Sequence, residues 1–564
     1  TSDYDNPEWF IRSRHIEVFP GDKAVARRST MFVGGIPVMY MPKYTQDLRE
    51  NRPHLKVIPG YEKDKGMYLL TTYRTYPTDR LGVHYHLDYF ERKDLGWGID
   101  VEYAPGKLGG GIVRTYYMKE RTISSDRIWG ERMLPTPERE RYRLEWRHKW
   151  NVDPQTSAIV QYAKISDADF LKKYWDQEYW QDENPETYAL VTRALPMGSL
   201  SILTKVRVNR FEFSTVERLP EISYMLNNQE IGATGFYFKS SNVFSQLVKK
   251  NASPSDVSNR TSRFDTDNEI SRPFKVSFLE MRPYVGTAQT YYSRTLNAED
   301  ENTVRGLFKT GMDVSTKFYR VFDVSFDKWG IEIDRLRHVI TPTAGYSYQH
   351  APTFEASKLY PFDAIDARAR SHGVDIGIEN KIQTKRKGKV VDLFRSLVST
   401  TYNLSDMESG AWSDITFDNE FRPNEFVAFG LDGVYDEEHK RIKTFNIDLY
   451  LAGKDRWSFD ISRRYTRDDD DIVTAHLAYV INSKWRADVY ERWNVDSGEW
   501  KDQQYALVRD LHSWEVELAF RDKRGYDDAG NEVWIIFRLK AFPSFKMDGG
   551  SSFHQRKAGA QNSN

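Results

Sequence analysis

The chain has 564 residues, 81 basic and 82 acidic, for a net charge of -1, and no cysteine. Near-neutral charge argues against a nucleic-acid partner, which wants a basic excess. The missing cysteines exclude a disulfide framework, a thiol nucleophile and a Cys-ligated metal. The length exceeds one ordinary core and leaves several domains or one large barrel. Aromatic residues make up 14%, which favours β structure and interfacial girdles. Mean hydropathy is -0.68, and no run of about 18 apolar residues exists to make a transmembrane helix. A transmembrane β-barrel is nevertheless this hydrophilic, because only alternate residues meet lipid. No signal peptide is visible in the opening TSDYDNPEWF, so an exported protein is represented here by a mature or trimmed form.

Residues 1–45 contain short alternating runs, such as Ile16 and Val18, broken by Pro20-Gly21 and Gly34-Gly35. They read as three or four short strands with tight turns, the end of a small sandwich or jelly roll. Residues 46–54 are polar and read as a linker. The stretch 55–103 sets the pattern for the rest. Leu81, Val83, Tyr85, Leu87 and Tyr89 alternate with Gly82, His84, His86 and Asp88, and Trp97, Ile99, Val101 and Tyr103 with Gly98, Asp100 and Glu102. Period two gives each strand one apolar and one polar face. Pro59 and Pro77 fall among these strands and belong at edges, starts or bulges.

The same alternation recurs at 142–150, 202–208, 445–451, 457–462, 485–490 and 514–520. It ends at Val533, Ile535, Phe537 and Leu539, the last apolar face. Residues 55–546 thus hold on the order of 24 to 28 strands. Continuous apolar runs are rare, whereas a soluble protein of this size needs strands buried on both faces or helices on sheets. Helix is expected at Ser166 to Gln181, in a long loop, with Ser166 or Asp167 as N-cap. Residues 239–272 read partly as loop, and the tail 547–564 as a polar, disordered end.

The opening run WFIRSRHIEVFPGDKAVARRSTMFVGGIPVMYMPKY, with IPVMYMP most telling, then ISDADFLKKY, RLPEISY and LRHVITPTAGYSYQH, together resemble the LptD family. This is the lipopolysaccharide-assembly (organic solvent tolerance) family of Gram-negative outer membranes. The resemblance implies an all-β fold: an antiparallel barrel of about 26 strands preceded by the end of a periplasmic jelly roll. It implies an outer-membrane translocon that inserts lipopolysaccharide, with no enzymatic step and no cofactor. The sugar passes the lumen, and the acyl chains leave by a seam between first and last strands. An LptE-type lipoprotein plugs the lumen, and an LptA-type jelly-roll bridge delivers the lipid. Family members weaken the seam with prolines in the first two strands, and Pro59 and Pro77 fall at matching places. The last-strand side of the seam would be Val533, Ile535, Phe537 and Leu539. Some members tie jelly roll to barrel through cysteines, which this chain lacks. Residues 1–45 are too few for the whole jelly roll, which places further N-terminal residues outside the chain.

Apolar alternation alone nominates Ile16, Val18, Val25, Phe32, Val38 and Tyr40 as a lipid path through the jelly-roll part, with plain sandwich core as the alternative. Other clusters read as structural. Asp468 to Asp471 fit a solvated hairpin loop, and Lys385 to Lys389 a charged turn. His84 and His86 lack a third ligand at metal-binding spacing, so no metal site is expected. Asp100 and Glu102 share a face as a glycosidase pair would, but fit a lumen lining better. Two rivals remain. A porin-like transport barrel would need neither the jelly-roll prefix nor the prolines. A soluble all-β carbohydrate-active enzyme would need paired carboxylates in a cleft.

Overall fold

The fold is taken from a computed structural model. It describes residues 9–539 apart from 21–22, 34, 48–54, 79, 122–138, 212–213, 253–258, 297–301, 329, 387, 405–411, 454–455, 512–513 and 525–529. Trp9–Phe19, Lys23–Val33 and Ile36–Asp47 form a three-stranded antiparallel sheet in chain order. Phe10 stacks on Phe32 at 4.8 Å between ring centres.

From Leu55–Glu62 to Gly530–Leu539 every strand is antiparallel to its neighbours, and the sheet closes on itself. Twenty-eight strands make this wall. Two are continuations. Asn259–Ser271 resumes after Pro273 as Phe274–Val276, and Thr303–Ser315 resumes as Phe318–Lys328. The next strand along pairs with both halves in each case, so 26 strands close the ring. At ordinary strand spacing and tilt such a ring is roughly 50 Å across. That is too wide for side chains to fill, so its inner face must tolerate water or be covered.

The alternation decides which face is which. Tyr85, Leu87, Tyr89 and Trp97 stand exposed on the outer wall, while Asp88 and Asp100 are buried on the inner one. Among the described residues no helix is long and apolar enough to cross a membrane. Connections at one end are tight, as at Pro196-Met197 and Ser483-Lys484, and Leu55 starts at that end. At the other end lie the long connections 166–186 and 350–370.

Two expectations need correction. Residues 239–272 are mostly strand, Tyr237–Lys250 and Asn259–Ser271. Their polar residues looked like loop but bond across the ladder instead: Ser240 to Asn268 at 2.7 Å, Thr266 to Asn242 at 2.8 Å. The expected helix over 166–181 is two short ones, α1 (Asp169–Tyr174) and α2 (Asp176–Gln181). Trp175 breaks them, with φ -138° and ψ 58°. Its ring meets Tyr116 edge-on at 4.6 Å and lies 4.0 Å below the Arg143 guanidinium.

Candidate functional site

The ring is weakest where it closes. The last strand meets the first over three residue pairs, Glu532–Glu62, Val533–Tyr61 and Trp534–Gly60. The next ladders along run to ten pairs, Trp514–Leu539 through Lys523–Gly530, and eight pairs, Leu55–Tyr73 through Glu62–Gly66. The three pairs lie toward the long-loop end, where Lys63 N–H also donates to Asn531 C=O at 3.3 Å. Toward the short-turn end, Leu55–Pro59 and Ile535–Leu539 have no register with each other. Backbone groups alternate sides along a strand, so positions 63, 61 and 59 turn the same edge toward the last strand. Pro59 has no N–H to offer there.

Side chains match this short register. Gly60 leaves room for the Tyr68 ring to lie across it; a Cβ would sit 2.2 Å from that ring. Gly60→Ala should therefore destabilise the closing strands by roughly 1–3 kcal/mol through overpacking, seen as a lower midpoint for loss of folded-barrel gel mobility. Glu62 and Glu532 stand directly opposite each other. Each carboxylate is held from its own side of the seam: Lys65 reaches Glu62 at 2.6 Å, and Lys523 reaches Glu532 at 3.3 Å. Burial works against the Lys65 ammonium, but Glu62 overrides it and holds its pKa well above the usual lysine range. On the inner side, Ile58, Ala506, Ala519, Trp534 and Ile536 form a buried apolar cluster with Leu70 against it. It flanks the seam on the inner wall.

The described connections 166–186 and 350–370 both fold against the inner wall. In 166–186, Phe170 and Leu171 of α1 pack on Phe90, Tyr116, Met118 and Ile165. Around them Lys93 bridges Asp64 at 3.0 Å and Glu120 at 3.1 Å, and Arg143 reaches Glu178 at 2.8 Å. The connection 350–370 is clamped harder. Arg263 grips both Asp363 oxygens at 2.7 Å and Asp366 at 2.8 Å. Arg305 donates to the backbone carbonyls of Ile365, Asp366 and Arg368. Arg368 returns to the wall with two bonds to Asp265, at 2.6 and 3.0 Å. Leu359 and Phe362 are buried beneath. Burial pushes the Asp363 carboxyl up, but the Arg263 bonds win and hold it below the usual 3.8.

The sequence-nominated residues fall as follows. Pro59 sits where the seam register stops. Pro77 lies one strand in, at a bulge between the Thr75–Val83 and Thr78–Leu81 pairs. Val533 and Ile535 face outward beside the seam; the side chains of Phe537 and Leu539 lie outside the described residues. In the three-stranded sheet the register puts Ile16, Val18, Phe32 and Tyr40 on one face and Val25 on the other. Ile16, Val18 and Tyr40 are exposed and Val25 is buried. The side chain of Val38 lies outside the described residues. His86 bonds Asp100 at 3.0 Å on the inner wall, and no cluster with metal-ligand composition occurs among the described residues. Asp471 forms a two-bond pair with Arg463. The sequence reading missed the inner cluster at Trp534 and Ile536 and the clamp at 350–370. The unbroken apolar run VWIIF was the available signal for the first.

Residues 139–485 match the family model for LptD, LPS transport system D. The LPS-assembly protein LptD of Actinobacillus pleuropneumoniae serotype 5b (strain L20) is 22% identical over 66% of this chain and 50% of its own length. That of Hahella chejuensis (strain KCTC 2396) is 20% identical over 88% of this chain and 65% of its own length. The chain therefore spans about half to two thirds of these relatives. Among solved structures, the copper transporter OprC aligns over 92% of this chain with 8% identity and a TM-score of 0.30.

Proposed function

This chain belongs to the LptD family and is an outer-membrane β-barrel, and we propose that it is the translocating part of a machine that inserts lipopolysaccharide into the outer leaflet. The observation that carries the reading is the three-pair closure of a 26-strand ring. The substrate sets two opposed demands. Each CH₂ of an acyl chain withdrawn from water is worth roughly 0.8 kcal/mol, so the tails stay in an apolar path. The charged saccharide cannot cross hydrocarbon and needs a polar one. A wide polar lumen with a wall that parts at a weak seam meets both. Pro59 shortens the ladder at that seam by withholding a donor, and Pro77 loosens the second strand against the third. Val533, Ile535, Phe537 and Leu539 form the last-strand side of the gate. The apolar cluster around Trp534 keeps the inner edge of the gate dry.

In this reading the three-stranded sheet is the last part of a periplasmic jelly roll. Its face bearing Ile16, Val18, Phe32 and Tyr40 carries the acyl chains toward the seam, and Val25 packs the other face. An LptA-type bridge feeds it. A lipoprotein of the LptE type fills lumen that the two folded-in connections leave open. The protein moves its substrate without covalent chemistry and needs no cofactor.

Photoreactive residues at Ile16, at Phe32 and, beside Pro59, at Tyr61 test the path in cells making lipopolysaccharide. Energy-dependent adducts at both regions are expected. Adducts at neither, in a barrel shown to be folded in the outer membrane, would leave a porin-like barrel as the better account. The opposed carboxylates give a graded test. Glu532→Lys would place an ammonium opposite Glu62 and create an ion pair across the seam. Such pairs are worth roughly 0.2–1 kcal/mol, so export should slow severalfold without stopping, read as the rate at which labelled lipopolysaccharide reaches the surface.

A further inference from the structure

We propose that Arg263 and Arg305 form an anion-binding site on the inner wall. In the state seen here the connection 350–370 occupies it with its own Asp363 and Asp366; when that connection lifts, the site takes phosphate-type groups of an acidic saccharide. The lifting as a step of passage rests on the lumen route proposed above; the site itself does not.

Arg263 and Arg305 stand on nearby strands, Asn259–Ser271 and Thr303–Ser315, with Tyr292 and Thr290 on the strand between them. The Arg263 side chain is fully buried. Its planar fork is filled by both oxygens of Asp363, the geometry a guanidinium offers equally to a phosphate. Asp366 adds a third contact while Tyr292 O–H bonds the same carboxylate at 2.9 Å. Arg305 spends its donors on backbone carbonyls of the same turn. All these partners lie between Asp363 and Arg368, so they leave together.

What remains on the wall is unbalanced. Arg218, which reaches Asp363 at 3.2 Å while the connection is docked, keeps Glu221 beside it. Asp265 loses Arg368 but keeps its bond from Thr290 at 2.6 Å. Asp267, 3.7 Å from Arg368, keeps Lys309 at 2.6 Å, so Arg263 and Arg305 are left with Asp265 between them and that stretch of wall carries a net positive charge. Two neighbouring guanidiniums with planar donor forks free and an excess of positive charge bind an oxyanion by paired, charge-assisted hydrogen bonds, so the wall gains by accepting another one. The carboxylates of the connection thus stand where the anionic groups of a passing saccharide would bind.

The test uses the full chain purified in detergent. Because the sequence has no cysteine, a dye on Ser357→Cys reports whether the connection is docked. Inorganic tripolyphosphate should release it at concentrations where sodium chloride of equal ionic strength does not. Asp363→Asn with Asp366→Asn should raise tripolyphosphate affinity at least tenfold, and adding Arg263→Gln and Arg305→Gln should abolish the gain. Equal release by chloride, or unchanged affinity in a variant with folded-barrel gel mobility, would overturn the site. If the variants do not fold, the release measurement on the otherwise native chain decides alone. None of these readouts depends on the seam, so the translocon reading stands or falls separately.

Discussion

A disulfide between Tyr61→Cys and Val533→Cys should stop lipopolysaccharide from reaching the cell surface while leaving the barrel folded, and reduction should restore transport. The two residues are directly opposed in the three-pair register. Opposed residues of an antiparallel pair have Cα atoms roughly 4.5–5.5 Å apart, within the range a disulfide spans. The native sequence has no cysteine, so no other thiol competes. At this junction the ring is held by only a few backbone hydrogen bonds, each worth roughly 0.5–1.5 kcal/mol net. Thermal opening is feasible against that and infeasible against a covalent bond. The control is a disulfide between Tyr85→Cys and Ile99→Cys, opposed in the fully paired ladder of the third and fourth barrel strands. It should form and change nothing. The readout is surface lipopolysaccharide in cells depleted of any other copy, with bond formation followed by gel mobility. Continued transport with the seam bond fully formed would sink the lateral route.

The wall was legible in the sequence because its physics is local. Tyr85, Leu87 and Tyr89 on one face and His86 and Asp88 on the other follow from a two-residue repeat that survives without any knowledge of neighbours. The two-residue repeat gives no contrast where both faces are polar. Around Ser240, Asn242, Thr266 and Asn268 the outer face, shared with the exposed Phe264 and Ile270, carries small polar residues, which also compose loops, and only the cross-strand bonds tell the two apart. At the seam, period two nominated Val533 and Ile535 but passed over Trp534 and Ile536, whose burial comes from Ile58, Ala506 and Ala519. The clamp was invisible for a different reason. Arg263 and Asp363 are 100 residues apart, and nothing local in FDAIDAR distinguishes a buried anchor from a solvated turn. Registers between distant strands, including the short one at closure, arise from ring geometry and cannot be read from either strand alone.

Arg263→Met should undock the connection 350–370 and open the lumen. Removing one member of a buried ion pair costs about 3–5 kcal/mol, because the partner charge stays behind without compensation. Here two carboxylates, Asp363 and Asp366, lose the same guanidinium, and of the two Asp363 keeps a second cation, Arg218 at 3.2 Å. Each 1.4 kcal/mol is a tenfold change, so docking should weaken by roughly a hundredfold or more. The dye on Ser357→Cys should report it as a gain in mobility, and planar bilayers as a rise in single-channel conductance. A compensated variant separates lost charge from lost packing. Arg263→Met with Asp363→Leu and Asp366→Asn removes the unpaired charges. An asparagine whose oxygen takes the place of Asp366 Oδ2 still accepts from the Phe362 N–H, a bond of 2.9 Å, and its amide N–H donates to the Tyr292 hydroxyl oxygen in place of the bond Asp366 accepted there. Since apolar replacements of buried ion pairs are often neutral or stabilising, this variant should dock again. Acid should act as a weaker form of the first substitution. Asp363 has a docked pKa below its ordinary 3.8. Its contribution is therefore complete above 3.8 and is lost as pH falls through the lower, docked value. The connection should stay docked from neutral pH down to that range and release only below it. Release already near pH 6 would mean that a group other than Asp363 governs the clamp.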